Sequence, residues 1–284
     1  MPAAKGLFHR AIMESGAAQV ITSEEAQMIT AGLLKELDIP RAEMHRLESL
    51  TGEQIFEAGE RLKKRVGPGV SMLFQPVLDP DTLPQDPLQA VQEGSAKDVP
   101  ILIGTNLDEG ALFFRPDMPL VKERDLVHVV ERMTGIPDAA PLTKDYPYTI
   151  DGHAQIMTDL YFWRSALQFA SAQIGHAPVW MYRFDWTLPN HPILGKAMHA
   201  LEIPFVFNTL ALFRNIGVQV DAQTQALSDR MQDAWIAFAR GGSPDTEGLP
   251  WPTYEPASRS TMIFNSDCSI IEDPDAVKRM NMGL

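Results

Sequence analysis

Two stretches of this chain are apolar almost without a break. Val99 to Ile103 lies in VPILIGTN, and Ala177 to Trp186 reads APVWMYRFDW. Runs of that kind are expected of strands covered on both faces. Elsewhere the apolar positions follow a helical rhythm. In SEEAQMITAGLLKELDI, Ser23 to Ile39, a capping serine and early glutamates precede Met28, Ile29, Leu33, Leu34 and Leu37, which predicts a helix with a defined start. Thr51 to Arg65 predicts a second, more exposed one. A third runs through QTQALSDRMQDAWIAFARGGSP, where Leu227, Met231, Trp235 and Phe238 share a face and Gly241 and Gly242 mark the stop. HRAIMESG, ending at Gly16, and Ser260 to Asn265 read as short strands. Pro2 to Gly6 reads as loop, and FQPVLDPDTLPQDPLQAVQEG as proline-broken connecting chain with a short helix near its end. Strands alternating with helices, and no internal repeat, predict an α/β fold with a largely parallel sheet.

Composition narrows the functions open to such a fold. Among 284 residues, 24 lysines and arginines against 37 aspartates and glutamates leave a net charge of −13. A surface of that sign repels phosphate backbones and anionic lipid heads, so neither nucleic acid nor membrane is the expected partner. One cysteine, Cys268, excludes an intramolecular disulfide and a cysteine-clustered metal site, and it fits a reducing compartment. No apolar run is long enough to span a bilayer, and no basic segment followed by an apolar one marks a secretory signal.

Two places carry candidate chemistry. Asp108 and Glu109 follow directly on the first apolar run, and open α/β sheets build their sites just beyond the carboxyl ends of strands. The second run leads through a proline-containing loop, Thr187 to Pro192, to His199 in KAMHALEIPFVF. His199 and Glu202 form H-x-x-E, but the usual zinc pattern has a second histidine four residues on, where this chain has Ile203. A lone histidine among apolar residues is commonly a packing residue. Paired with Glu109 it has a further reading. An acid and then a histidine, each on a loop past a buried-type strand, follow the order of acid and base in α/β hydrolases.

Seven segments extend that reading. AAKGLFHRAIMESGA, LFQPVLDPDTLP, VPILIGTNLDEGALFF, PVWMYRFDW, KAMHALEIPFVF, MQDAWIAFARGGSPD and WPTYEPASRSTMIF resemble, in order, signatures of the type-B carboxylesterase and cholinesterase family, and most closely those of bacterial p-nitrobenzyl esterases. The resemblance covers essentially the whole chain. It implies an α/β-hydrolase fold and a Ser-Glu-His triad with Glu109 as acid and His199 as base. It further implies a supporting place for Ser15 and Glu202, and a substrate pocket touched by Phe113, Phe114, Met157 and Tyr161. It implies no cofactor and no metal, small to medium carboxylic esters as substrates, and a cytoplasmic location. The same fold also serves as an inactive interaction protein, which is the alternative reading.

The nucleophile is not where the family would show it. Its serine sits in a Gly-x-Ser-x-Gly strand–turn–helix elbow, and the nearest candidate, MESGA, has Met13 and Ala17 where the glycines should stand. The resemblance gives Ser15 a supporting role and puts the nucleophile and oxyanion hole upstream of Met1. Residues 1–284 are accordingly expected to be the C-terminal part of a single esterase domain. Such a part is expected to be inactive alone and soluble only beside an N-terminal complement, because it would leave an apolar sheet edge uncovered.

Overall fold

A computed structural model describes residues 1–16, 18–66 and 72–284. Its strands are β1 (Ala11–Glu14), β2 (Ile101–Asn106), β3 (Val179–Phe184), β4 (Ser260–Phe264) and β5 (Ser269–Glu272). They form one sheet in the order β1-β2-β3-β4-β5. The first four run parallel, with Ile101 opposite both Ala11 and Val179, and Met181 opposite Thr261; β5 turns back antiparallel on β4. The helices are α1 (Ser23–Glu36), α2 (Gly52–Val66), α3 (Pro87–Gln92), α4 (Glu123–Thr134), α5 (Ala140–Lys144), α6 (Ile150–Ile156), α7 (Arg164–Gln173), α8 (Ile203–Val206), α9 (Ala222–Gly241) and α10 (Ala276–Asn281), with a π-helical segment, Met157–Trp163, joining α6 to α7.

The apolar runs form the central strands because both sheet faces are covered, and side chains on a strand alternate between faces. Leu102, Trp180, Tyr182 and Phe184 pack with Phe205 of α8 and with Leu227, Met231, Trp235 and Phe238 of α9. Ile101, Ile103, Val179 and Met181 point the other way, into a core with Leu126 and Val130 of α4, Leu160 of the π segment and Leu167 of α7. At Gly104 a Cβ would lie 2.3 Å from the Tyr182 ring. The missing side chain lets that ring lie against β2, and the strand continues past Gly104 to Asn106 rather than stopping there.

Three expectations are refined. The first long helix is capped by Thr22, not Ser23: Thr22 Oγ1 accepts from the Glu25 amide and the Glu25 carboxylate accepts from the Thr22 amide, a capping box that gives both of these amides partners. Ser23 instead donates to the Leu78 carbonyl. The helix closes at Glu36, and residues 2–4, read as loop, make one 3₁₀ turn. α9 begins at the Asp221 cap and ends at Gly242, whose φ of +85° suits glycine.

Among the described residues no helix is long and apolar enough to cross a membrane. Four rings fix α9 to the sheet, because Phe264 meets Tyr182, Trp235 and Trp251 at centroid distances of 6.1, 5.7 and 5.4 Å. Phe264 is fully buried. Phe264→Ala is expected to destabilise the fold by about 3–5 kcal/mol, read from urea unfolding; a loss under 1 kcal/mol would show that this cluster is not a cornerstone of the core.

Candidate active site

The carboxyl end of β2 and the loop after β3 are stitched together residue by residue. Asp108 N–H donates to the Ala197 carbonyl at 2.9 Å, the Ala197 amide donates to Asp108 Oδ2 at 3.1 Å, and the His199 amide donates to the Glu109 carbonyl at 3.3 Å. Asn106 Nδ2 donates to the Met198 carbonyl at 2.8 Å and also to a carboxylate oxygen of Glu202. Backbone and side-chain bonds together thus fix the two loops against each other.

Glu109 has no exposed surface. A buried carboxylate needs its lone pairs filled, and here one oxygen accepts from the Asn106 amide at 2.7 Å and from the Ser15 hydroxyl, while the other lies 2.6 Å from His199 Nδ1. Gly110 sets its depth. A Cβ there would fall 2.0 Å from the Ala154 carbonyl oxygen of α6, and the Gly110 amide donates to Thr158 Oγ1 at 2.9 Å. Two of the chain's ten described non-glycine residues with positive φ are here: Ser15 has φ +56° and Ala200, next to His199, has φ +67°. Non-glycine residues in that region are uncommon and concentrate at functional sites.

His199 is held on Nδ1 and flanked by two tilted aromatic rings. Its ring lies 5.3 Å from Phe113 and 5.0 Å from Phe162, and these two phenyl rings are 6.1 Å apart. Burial alone disfavours the imidazolium, but the Glu109 hydrogen bond and charge, with Glu202 adding to them, turn the balance and leave the His199 pKa raised. Glu202 is itself pushed up to about 7, chiefly by burial and against the Asn106 hydrogen bond, with the charges of Glu109 and Glu14 adding to the rise. Glu14 is raised by burial too, opposed by the hydrogen bond that Trp235 Nε1 donates to it at 2.7 Å. A histidine bonded to a carboxylate through Nδ1 presents Nε2 for proton transfer. Among the described residues there is no group of three His, Cys, Asp or Glu side chains that could hold a metal.

The structure thus brings together Glu109, His199, Ser15 and Glu202. Ser15 donates its hydroxyl to Glu109 rather than approaching His199. Phe113 stands against His199, whereas Phe114 packs on His153, 6.2 Å between ring centres. Met157 is buried. Tyr161 lines a separate cavity, while its neighbour Phe162 in the π segment lies against His199. Sequence reasoning passed over Asn106, Thr158 and Phe162. Asn106 was the one with a signal, a polar residue ending a buried run.

The carboxylesterase family model matches residues 1–280, and the chain belongs to that family. It is 43% identical over 284 residues to the para-nitrobenzyl esterase of Bacillus subtilis (strain 168), covering 99% of this chain and 58% of that protein. It is 28% identical over 284 residues to the phenmedipham hydrolase of Pseudarthrobacter oxydans, covering 94% of this chain and 56% of that one. A solved thermophilic PNB esterase superposes with a TM-score of 0.90 at 41% identity, over 99% of this chain and 59% of its own. The mostly parallel sheet flanked by helices is therefore the α/β-hydrolase fold, and the chain spans a little under three-fifths of these relatives' length.

Since the charge of Glu202 helps to hold the His199 pKa up, Glu202→Gln is expected to lower it. An NMR titration of the imidazole in wild type and variant reads this directly. An unchanged midpoint would remove Glu202 from the electrostatics of the site.

Proposed function

We propose that this chain is the acid–base portion of a serine carboxylesterase, with Glu109 and His199 as two members of a Ser-Glu-His triad. The observation that carries the reading is the 2.6 Å bond between His199 Nδ1 and a wholly buried Glu109. In the reaction, Nε2 takes the proton of an attacking serine hydroxyl and returns it to the departing alkoxide; water then repeats the cycle on the acyl-enzyme. Glu109 keeps the imidazole in the tautomer that leaves Nε2 able to accept, and it steadies the imidazolium. Ser15, whose hydroxyl is spent on Glu109, is a positioning residue.

The serine and the oxyanion hole belong, in this reading, to an N-terminal complement of the same esterase, and the chain without it is inactive. Support comes from the sheet: among the described residues, β1 is paired on one side only, by β2. Leu7 and Phe8, which precede that strand in the chain, are exposed as well. Substrates are small to medium carboxylic esters of the p-nitrobenzyl and p-nitrophenyl type, the class that the similar para-nitrobenzyl esterase is named for. No cofactor takes part, and the location is cytoplasmic.

Fluorophosphonate labelling of the purified material, followed by intact mass under denaturing conditions, tests the division of labour. Label on a second, co-purifying polypeptide is expected. Label at Ser15 would overturn it. Joined to the upstream portion of the Bacillus subtilis esterase, the chain is expected to hydrolyse p-nitrophenyl acetate, and His199→Ala to reduce kcat by about 10⁴-fold. Near-normal turnover in that variant would refute the assignment of the base. The base works only when neutral, so its raised pKa moves the acid limb of kcat/KM to higher pH than an ordinary histidine would give. A limb centred below 6.5, the ordinary histidine value, would contradict it.

A further inference from the structure

Behind Tyr161 lies a cavity of about 740 Å³, on the side of the π segment away from His199. It is bounded by α1, α2, α4 and the start of α7, and much of its wall is apolar, with Met28, Ile29, Leu62, Val129, Met133 and Leu160 among its residues. Its size is that of a pocket for a drug-sized molecule. The polar groups in the wall are unevenly matched. Two carboxylates, Glu25 and Asp86, reach it, but each is engaged as a helix cap: Glu25 accepts from the Thr22 amide, and Asp86 from the amides of Leu88 and Gln89. Two arginines reach it as well, and among the described residues neither has a carboxylate within ion-pair distance.

Arg164 is the telling one. It is the first residue of α7, and one guanidinium nitrogen, Nη1, donates to Gln168 Oε1 at 3.0 Å. Its Nε is buried without a hydrogen-bond partner. Arg164 is half-buried, and a guanidinium stays charged in a protein, so covering part of it without a counter-charge carries a cost. Burial pulls its pKa down, the direction of an unmet charge. Arg132, on the facing helix α4, adds a second positive charge at the rim.

We propose that this cavity is a binding site for an amphipathic monocarboxylate, its carboxylate received by Arg164 with Arg132 nearby and its hydrocarbon part lying against the Met, Leu, Ile and Val side chains of α1, α2 and α4. The fork of a guanidinium matches a carboxylate in two parallel bonds. The apolar walls ask for a hydrocarbon body, and the nearby Glu25 and Asp86 disfavour a doubly charged head such as a phosphate monoester. The site is separate from the candidate triad and does not depend on the esterase reading.

The test uses 4-phenylbutyrate and, as its uncharged counterpart, 4-phenylbutanol, each titrated into the protein by calorimetry at low salt. The acid is expected to bind at least 10-fold more tightly than the alcohol, and its affinity to fall as salt is added. Arg164→Gln, which removes the charge but leaves a polar side chain, is expected to remove that preference. Arg132→Ala, an exposed-face change, is expected to weaken the acid alone by a smaller factor. Equal binding of acid and alcohol by the wild type would overturn the proposal without recourse to any variant. So would an acid preference that survives in a folded Arg164→Gln protein. Because the readout is binding rather than hydrolysis, its failure would leave the triad assignment untouched.

Discussion

The burial of one carboxylate organises the catalytic end of this molecule. Glu109 has no contact with water, and an ionised carboxylate in that position is tolerable only if its oxygens are met by donors. Three different parts of the chain supply them: the end of β2 through the Asn106 amide, the residue after β1 through Ser15, and the loop after β3 through His199. Strands that are far apart in sequence are thereby tied at their carboxyl ends by a single charge. Two backbone bonds, Asp108 to Ala197 and His199 to Glu109, follow the same seam, and the Asp108 and Asn106 side chains bond backbone across it, so backbone and side chains together set the geometry of the acid and the histidine.

The layers behind the seam keep it rigid. α6 presses on Gly110 so closely that no side chain fits between them, and Thr158 bonds both the Gly110 amide and the Ala154 carbonyl. On the other side α8 follows directly from the His199 loop, and its Phe205 carbonyl accepts from Ser228 of α9 at 2.8 Å. The long amphipathic helix thus props the histidine's loop from beneath while its own apolar face closes the core. A site held from two sides in this way can keep a strained Ser15 and Ala200, since the surrounding contacts outweigh the local backbone cost.

How much of this could be read from the residues depended on what kind of signal each part leaves. The central strands, α2, α9 and their order were legible because burial on two faces and on one face writes distinct patterns into the chain. Their ends were not. The apolar run suggested a stop at Gly104, whereas the strand runs on through Thr105 and Asn106, because polar side chains buried at the end of a sheet look like loop in sequence. The same blindness hid Asn106, whose amide and side chain serve Glu109, Met198 and Glu202 at once. The π segment left no mark either. Within it Phe162 lies beside His199 and Tyr161 lines the separate cavity.

The acid network also explains why a glutamate on the next loop is needed to understand the histidine. Glu109, Glu202 and Glu14 crowd around Tyr182, whose hydroxyl is buried without a partner and whose ionisation all three oppose. Burial is the main reason Glu202 is raised to about 7, the charges of Glu109 and Glu14 add to the rise, and Glu14 is raised by its own burial. Two groups of the site, His199 and Glu202, are thus both raised above their ordinary values, and Asn106 bonds Glu202 and the carbonyl of Met198, the residue before His199. A proton gained by one lowers the negative potential or raises the positive potential felt by the other. The proton inventory of the site belongs to the pair, and the tautomer of His199 is set by Glu109 while the pH at which it becomes a base is set partly by Glu202.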